Sequence, residues 1–222
     1  MTPLIHRIPR NAALLVVLLV LILVSPLVSA DSGWFLGELM LDAILLAGAY
    51  STAGDRHRWP FLALTAVTLA VRWSELLLGI RGFNTGALTL TLAWLVYAIT
   101  IIVGDLFRRR EVTVNTILGA VVTYLLIAVA FMFVFQLLEV VSPGALSGIP
   151  EEARQSRASL VDALMYFSLV CLTTMGFGDI VPVSGLARPL AVLEGVIGQL
   201  YLAVMIARLV GLHIAGQSMS RD

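Results

Sequence analysis

The chain contains no lysine: all 14 of its basic residues are arginine, and 14 acidic residues balance them to a formal net charge of zero. An arginine-only basic set beside abundant Ala, Leu and Val is the composition of a high-GC bacterial source. There is one cysteine, Cys171, and it lies inside an apolar run. That excludes a disulfide framework and any cysteine-based zinc site, and leaves the thiol a packing role. Charged residues make up only 13% of the 222, where soluble chains carry about 25%. Hydrophobic residues reach 59% and the mean hydropathy is +0.98, so the surplus apolar surface has to face hydrocarbon. This composition excludes a cytosolic enzyme, a nucleic-acid binder and a disordered tail. No nucleophile with a base and oxyanion donors stands out, nor any phosphate-binding loop, so the chain does not read as an enzyme. His6, His57 and His213 show no metal-ligand spacing.

What the chain does have is long apolar runs. They recur at lengths of roughly 18 to 26 residues between Arg, Gly, Pro and Asp, and about 20 helical residues cross a bilayer core. Six such runs fit, near residues 11–30, 34–53, 60–80, 87–107, 113–139 and 185–211. Between the last two lies a polar stretch, residues 141–158, and then a short apolar run from Leu160 to Leu172. At about 13 residues that run is too short to span, so it reads as a re-entrant helix. Arg7, Arg10, Arg56, Arg58, Arg108, Arg109, Arg110 and Arg221 fall on one side of this topology, and Arg81, Arg154, Arg157 and Arg188 on the other. The excess marks the first side, with both termini, as cytoplasmic, so residues 141–185 enter the membrane from outside. The first run, with Arg7 and Arg10 before it and Val28, Ser29 and Ala30 at its end, also has the outline of a cleavable signal peptide. Its apolar core, Ala12 to Val28, is longer than the roughly 7 to 15 residues of such peptides, which favours a retained helix. Cleavage would leave every later segment oriented as before.

Directly after the short run comes Thr173, Thr174, Met175, Gly176, Phe177, Gly178 and Asp179. Alternating glycines permit backbone conformations closed to other residues, so that consecutive carbonyls can turn toward one axis. A ring of such carbonyls from several chains replaces the hydration shell of a monovalent cation. Thr174 adds a hydroxyl at the inner end and Asp179 a carboxylate at the outer mouth. The short helix aims its C-terminal carbonyls, with their partial negative charge, at the bilayer interior, where they favour a cation.

The string resembles the selectivity filter of potassium channels, in which Thr, an apolar residue, Gly, an aromatic, Gly and Asp follow a short pore helix. Tyr166 and Phe167 stand where that family keeps paired aromatics that brace the filter, and Gly198, twenty residues beyond Gly178, where many members place an inner-helix hinge. The resemblance covers residues 113–213. It implies ion ligation by the backbone carbonyls of Thr174, Met175, Gly176 and Phe177, with the Thr174 hydroxyl at the innermost site and Thr173, Gly178 and Asp179 in support. It implies a homotetramer, because one filter loop per chain does not close a pore. Potassium ions and membrane lipid are then the partners, with no cofactor and no nucleic acid. The fold expected is an all-α integral membrane protein: six transmembrane helices plus a re-entrant pore helix and filter loop. Residues 1–110 form a four-helix membrane domain and residues 111–222 a pore domain. Phe177 replaces the commoner Tyr, so the filter loses a hydroxyl that would tie its ring to surrounding aromatics. A non-selective cation channel is the nearest alternative for that reason. A potassium uptake transporter subunit is a more distant one, since such proteins carry four hairpins in one chain.

In the family's register Gln199, Leu202, Ile206 and Val210 face the central cavity, at a spacing that fits one face of a helix, with Gln199 just below the filter. A rotation by one residue would put Ala203 there instead. Arg208 points away, toward lipid headgroups or a neighbouring helix. Glu194, four residues before Gly198, either bonds to the back of the pore helix or a neighbouring span, or senses protons. Counting about 1.5 Å per residue from the outer ends of their spans puts Asp42 and Arg72 at one depth, where they can pair. An ion pair that docks two helices is favoured there over a sensing site.

The first four spans are similar to a voltage sensor in helix count alone. The fourth, residues 87–107, has no arginine, and charges moving through the field, worth about 2.3 kcal/mol each per 100 mV, are what a voltage sensor needs. Under symmetric potassium, open probability is expected to change little between strongly negative and strongly positive potentials; a steep dependence in patch recordings would contradict this.

Overall fold

A computed structural model of the chain describes residues 10–24, 39, 41–48, 58–78, 84–109 and 111–219. The elements are α1 (Arg10–Val24), α2 (residues 41–48), α3 (Arg58–Leu78), α4 (Asn84–Arg108) and α5 (Val114–Val141), followed by β1 (Leu146–Ser147), α6 (Glu151–Gln155), α7 (Arg157–Leu172), β2 (Val181–Pro182) and α8 (Ala187–Met219). Among the described residues three helical stretches are long and apolar enough to cross a membrane: Thr85–Arg108, Val114–Val141 and Ala187–Leu212. Of the expected first two spans only residues 10–24, 39 and 41–48 are described. The signal-like ending Val28, Ser29 and Ala30 lies outside the described residues, as do His6, His57 and the arginines at 7, 56, 81, 110 and 221.

The helix α5 is the spine. Its first turn is closed by a capping box, in which the Thr113 side chain accepts from the Thr116 N–H and the Thr116 hydroxyl accepts from the Thr113 N–H. It is apolar on every side and buries residues on all of its faces, the signature of a helix surrounded by others. Around it pack α1, α4, α7 and α8. Leu14, Leu18 and Leu21 of α1 are buried at helical spacing. The start of α1 is tied to the start of α5: the Asn11 side-chain amide donates to the Asn115 carbonyl at 2.9 Å, and the Asn11 N–H to Asn115 Oδ1 at 3.2 Å.

The helix α3 packs on α4. Trp94, fully buried, donates its indole N–H to Thr65 Oγ1 at 2.8 Å, and its ring lies 5.0 Å from that of Phe61. Arg72 Nε of α3 donates to Asp42 Oδ1 of α2 at 3.1 Å, while the Trp73 indole N–H donates to Asp42 Oδ2 at 2.9 Å. Both charged side chains are buried. At the other end of the chain, Arg208 of α8 caps α4: Nη2 donates to the carbonyls of Leu106 and Arg109 at 2.7 and 2.8 Å, and the guanidinium lies 4.8 Å over the Phe107 ring. A cation at a helix C-terminus meets carbonyls that have no partner within the helix. Of the two surroundings expected for Arg208, the structure shows the neighbouring helix.

Element ends differ from those read off the sequence. The short helix α7 begins at Arg157 rather than Leu160, because Ser156 caps it and accepts from the Ser159 N–H at 3.5 Å. The helix α8 continues beyond residue 211 to Met219. The polar stretch 141–158 is not a plain loop: it holds β1, paired antiparallel with β2 as Leu146 to Pro182 and Ser147 to Val181, and the short α6 behind Pro150.

Removing one partner of the buried pair leaves an uncompensated charge, so Asp42→Ala is expected to destabilise the solubilised protein by about 3–5 kcal/mol. Asp42→Ala combined with Arg72→Leu should recover much of that loss in a denaturation series; a double variant worse than the single one would show that the pair does not act as a unit.

Candidate functional site

The loop that follows α7 departs from helix in a regular way. Thr174, Gly176 and Gly178 have positive φ, at 59°, 57° and 80°, and Thr174 is the one non-glycine residue among those described with that sign. Met175 and Phe177 between them are therefore on the other side of the map. The positive φ at Thr174, a β-branched residue, is strained backbone, held because the surrounding structure over-determines it. Its N–H donates to the Cys171 carbonyl at 3.0 Å, the Met175 N–H to the Val170 carbonyl at 3.0 Å, and the Gln199 amide to Thr174 Oγ1 at 3.2 Å. Thr173 Oγ1 donates back to the Leu169 carbonyl at 2.6 Å. From Thr173 to Asp179 every residue is exposed in the single chain.

The Asp179 end of the loop is braced from two directions. The Tyr166 hydroxyl donates to Asp179 Oδ2 at 2.7 Å, and its ring stacks on that of Phe177, with centroids 6.4 Å apart and planes 10° from parallel. The Tyr166 hydroxyl holds the Asp179 carboxyl below the usual carboxylate range, partial desolvation opposing it and backbone N–H groups adding to it. From the other side comes the ribbon of β1 and β2. A Cβ on Gly148 would collide with the Asp179 carbonyl oxygen, so only glycine lets the segment after β1 lie against the mouth. That segment is anchored by Glu139 at the end of α5, which accepts from the Gly144 N–H at 3.0 Å, the Leu146 N–H at 2.8 Å and Arg154 Nη1 at 2.6 Å; Arg154 Nη2 also donates to the Leu146 carbonyl at 2.6 Å.

The back of α7 rests on α5 and α8. Tyr124 donates its hydroxyl to the Leu172 carbonyl at 3.1 Å, and Tyr201 to the Ala120 carbonyl at 2.8 Å, the two rings stacking at 6.1 Å. Glu194 and Ser168 form a buried hydrogen bond, and Ser168 Oγ also reaches the Ala128 carbonyl at 2.7 Å. Phe167 is buried and meets Phe135 of α5 edge-on at 4.9 Å, so of the two aromatics it is Tyr166 that touches the loop. Gly198 lies so close to the end of α7 that a Cβ would overlap the Leu172 carbonyl oxygen and sit 2.9 Å from Leu172 Cδ1. Close approach thus explains glycine at this position, in a helix that runs unbroken from Ala187 to Met219. Leu202, Ile206 and Val210 are exposed in the single chain, as are Leu200, Ala203 and Val204.

The sequence reading did not single out Tyr124, Glu139, Arg154, Ser168 or Tyr201. Glu139 left one signal: it is an acidic residue ending a long apolar run. Its partners lie on a turn and on α6, at separations with no period, so no spacing rule finds them. Among the described residues no group of three or more His, Cys, Asp or Glu could hold a metal ion.

With this geometry in view, the relatives of the chain are informative. Residues 112–213 match the model of a family described as an ion channel. Within the chain, 87 residues are 30% identical to Protein LctB of Bacillus caldotenax, covering 39% of this chain and 64% of that one. Another 29% identity over 80 residues links it to Protein LctB of Geobacillus stearothermophilus, covering 36% and 59%. The chain thus spans about three fifths of the length of these curated relatives. No solved structure matches.

With its folded value lowered, Asp179 loses its charge at a lower pH than an ordinary carboxyl. Tyr166→Phe removes the main cause, so loss of charge moves to higher pH. Cation flux through reconstituted protein, titrated on the outer side, should show its acid limb shifted upward in the variant; an unshifted limb would mean that the hydroxyl does not govern this carboxyl.

Proposed function

We propose that the protein is a homotetrameric channel that passes potassium ions passively down their gradient. In this reading the carbonyls of Thr174, Met175, Gly176 and Phe177 ligate the ion, with the Thr174 hydroxyl at the inner end. The observation that carries it is the alternation of φ sign at residues 174, 176 and 178 directly after the C-terminus of α7. Alternating hand turns successive carbonyls to the same side of the strand, where a uniform strand would point them alternately, and a row of such oxygens suits a dehydrated monovalent cation. The C-terminal carbonyls of α7 add negative potential below that row.

The tetramer rests on incompleteness of the single chain. Residues 173–179 have solvent on their open side, and α8 leaves most of its membrane-crossing stretch uncovered, only 17% of it being buried. Four copies around an axis would cover one face of α8 against neighbours and leave another lining a cavity. Gln199, Leu202, Ile206 and Val210 are the cavity residues in this arrangement, and the apolar ring of Ile206 and Val210 closes it by expelling water. Residues 1–110 form a four-helix membrane domain beside the pore domain of residues 111–222, with six spans and both termini on the cytoplasmic side of the cell membrane. In this reading the pore is not gated by movement of arginines in that first domain. A non-selective cation channel is the second reading, favoured by the missing hydroxyl at Phe177. Against it stands the Tyr166 bond to Asp179, which ties the outer mouth without that hydroxyl.

Purified protein in liposomes is expected to carry potassium far faster than sodium, and native mass spectra to saturate at four subunits. Gly176→Ala should abolish flux with assembly intact, because a Cβ at φ 57° is strained by roughly 1–2 kcal/mol, and the strain is repeated in every copy. Equal sodium and potassium fluxes would select the non-selective reading, and a fully conducting Gly176→Ala channel would overturn the filter assignment.

A further inference from the structure

Behind the pore helix one hydroxyl proton has two claimants. Ser168 Oγ lies 2.7 Å from the Ala128 carbonyl oxygen of α5 and in hydrogen-bond contact with Glu194 Oε1 of α8. Ser168, Ala128 and Glu194 are each 0% exposed. Serine has a single O–H, and a carbonyl oxygen can only accept. If the carboxyl is ionised it too can only accept, and Ser168 then satisfies one oxygen while facing the lone pair of the other at hydrogen-bond distance. A proton on the carboxyl removes the conflict: Glu194 donates to Ser168, and Ser168 donates to Ala128.

The surroundings agree with this count. Arg72 pairs with Asp42, Arg109 with Asp105 and Arg154 with Glu139, and Glu194 has no arginine partner among the described residues. The titratable side chains that face Glu194 are Cys171 of α7 and Tyr124 of α5, which bear no positive charge. Its second oxygen, Oε2, is buried and has no hydrogen-bond partner, a poor setting for an ionised carboxylate, which wants several donors.

We infer that Glu194 is a neutral carboxylic acid heading a donor chain, Glu194 to Ser168 to Ala128, which fixes the pore helix between the inner helix and α5 and makes Glu194 a positioning residue for the filter loop. Ser168 lies one turn before the end of α7, whose last carbonyls hold Thr174 and Met175 in place. Loss of the proton reverses the first bond of the chain, frees the Ala128 carbonyl and puts a charge behind the pore helix. The positioning role rests on the channel reading; the protonation state does not.

Two measurements separate these. Infrared difference spectra of purified protein in lipid at neutral pH, wild type against Glu194→Gln, should contain the carbonyl stretch of a protonated carboxyl, shifted in heavy water; a difference made only of carboxylate bands overturns the protonated state whether or not the protein conducts. In liposomes, potassium over sodium selectivity of the wild type should fall as pH is raised. Glu194→Gln, whose amide donates from the same place and has no such proton to lose, should keep its selectivity across that range, and Glu194→Leu and Ser168→Ala should be impaired at every pH. Identical pH profiles for wild type and Glu194→Gln, or full selectivity in Glu194→Leu, overturn the positioning role. Absence of flux from every variant and from the wild type would overturn the channel reading and leave the infrared result to decide the protonation state.

Discussion

Backbone that leaves the helical path among packed helices must find other partners for its N–H and C=O groups, because a buried unpaired group is costly. The stretch from Leu172 to Asp179 is where this protein meets that demand, and much of the rest is arranged around it. The last carbonyls of α7 take the N–H groups of Thr173, Thr174 and Met175, and Tyr124 reaches from α5 to the Leu172 carbonyl. The same carbonyl is why Gly198 has no side chain: α8 comes so near that a Cβ would overlap it. One short helix end thereby sets the distance between α5, α7 and α8.

Outside that contact the protein uses polar groups as fixed clasps, at points where an apolar surface would leave helices free to slide. Glu139 and Arg154 gather the turn after α5 and hold β1 in register with β2, which in turn follows the loop by only two residues. Tyr166 ties the outer carboxylate, Asp179, to α7 itself. The mouth is therefore clamped both to the helix before it and to the turn that precedes that helix. The clasp around the buried Glu139 is made of groups that satisfy one another, which is what low-dielectric surroundings require of buried polar atoms.

The N-terminal helices are not a detached appendage. The first turn of α1 is bonded to the first turn of α5 through Asn11 and Asn115, and Arg208 of α8 closes the carbonyl end of α4. These contacts join α1 and α4 to helices of the segment that resembles an ion channel. A shift of α4 therefore bears directly on α8, with no charged residue on α4 between Asn84 and Ile102 to answer the membrane potential.

By itself the sequence determined the solvent and where the loop's backbone changes hand. Runs of apolar residues of bilayer length admit few other readings, since the hydrocarbon core imposes one length and one hydropathy on every span. The string from Thr173 to Asp179 was equally legible, because alternating glycine leaves a local imprint on composition. Tertiary structure decided what holds that loop. Ser168 with Glu194, Tyr124 with the Leu172 carbonyl and Glu139 with Arg154 join residues separated along the chain by turns and whole helices, at separations with no period. The same holds for Gly198, whose close approach to the Leu172 carbonyl no sequence pattern shows. A hydrogen bond or a close approach is a property of two surfaces, and only the fold brings the second surface to the first.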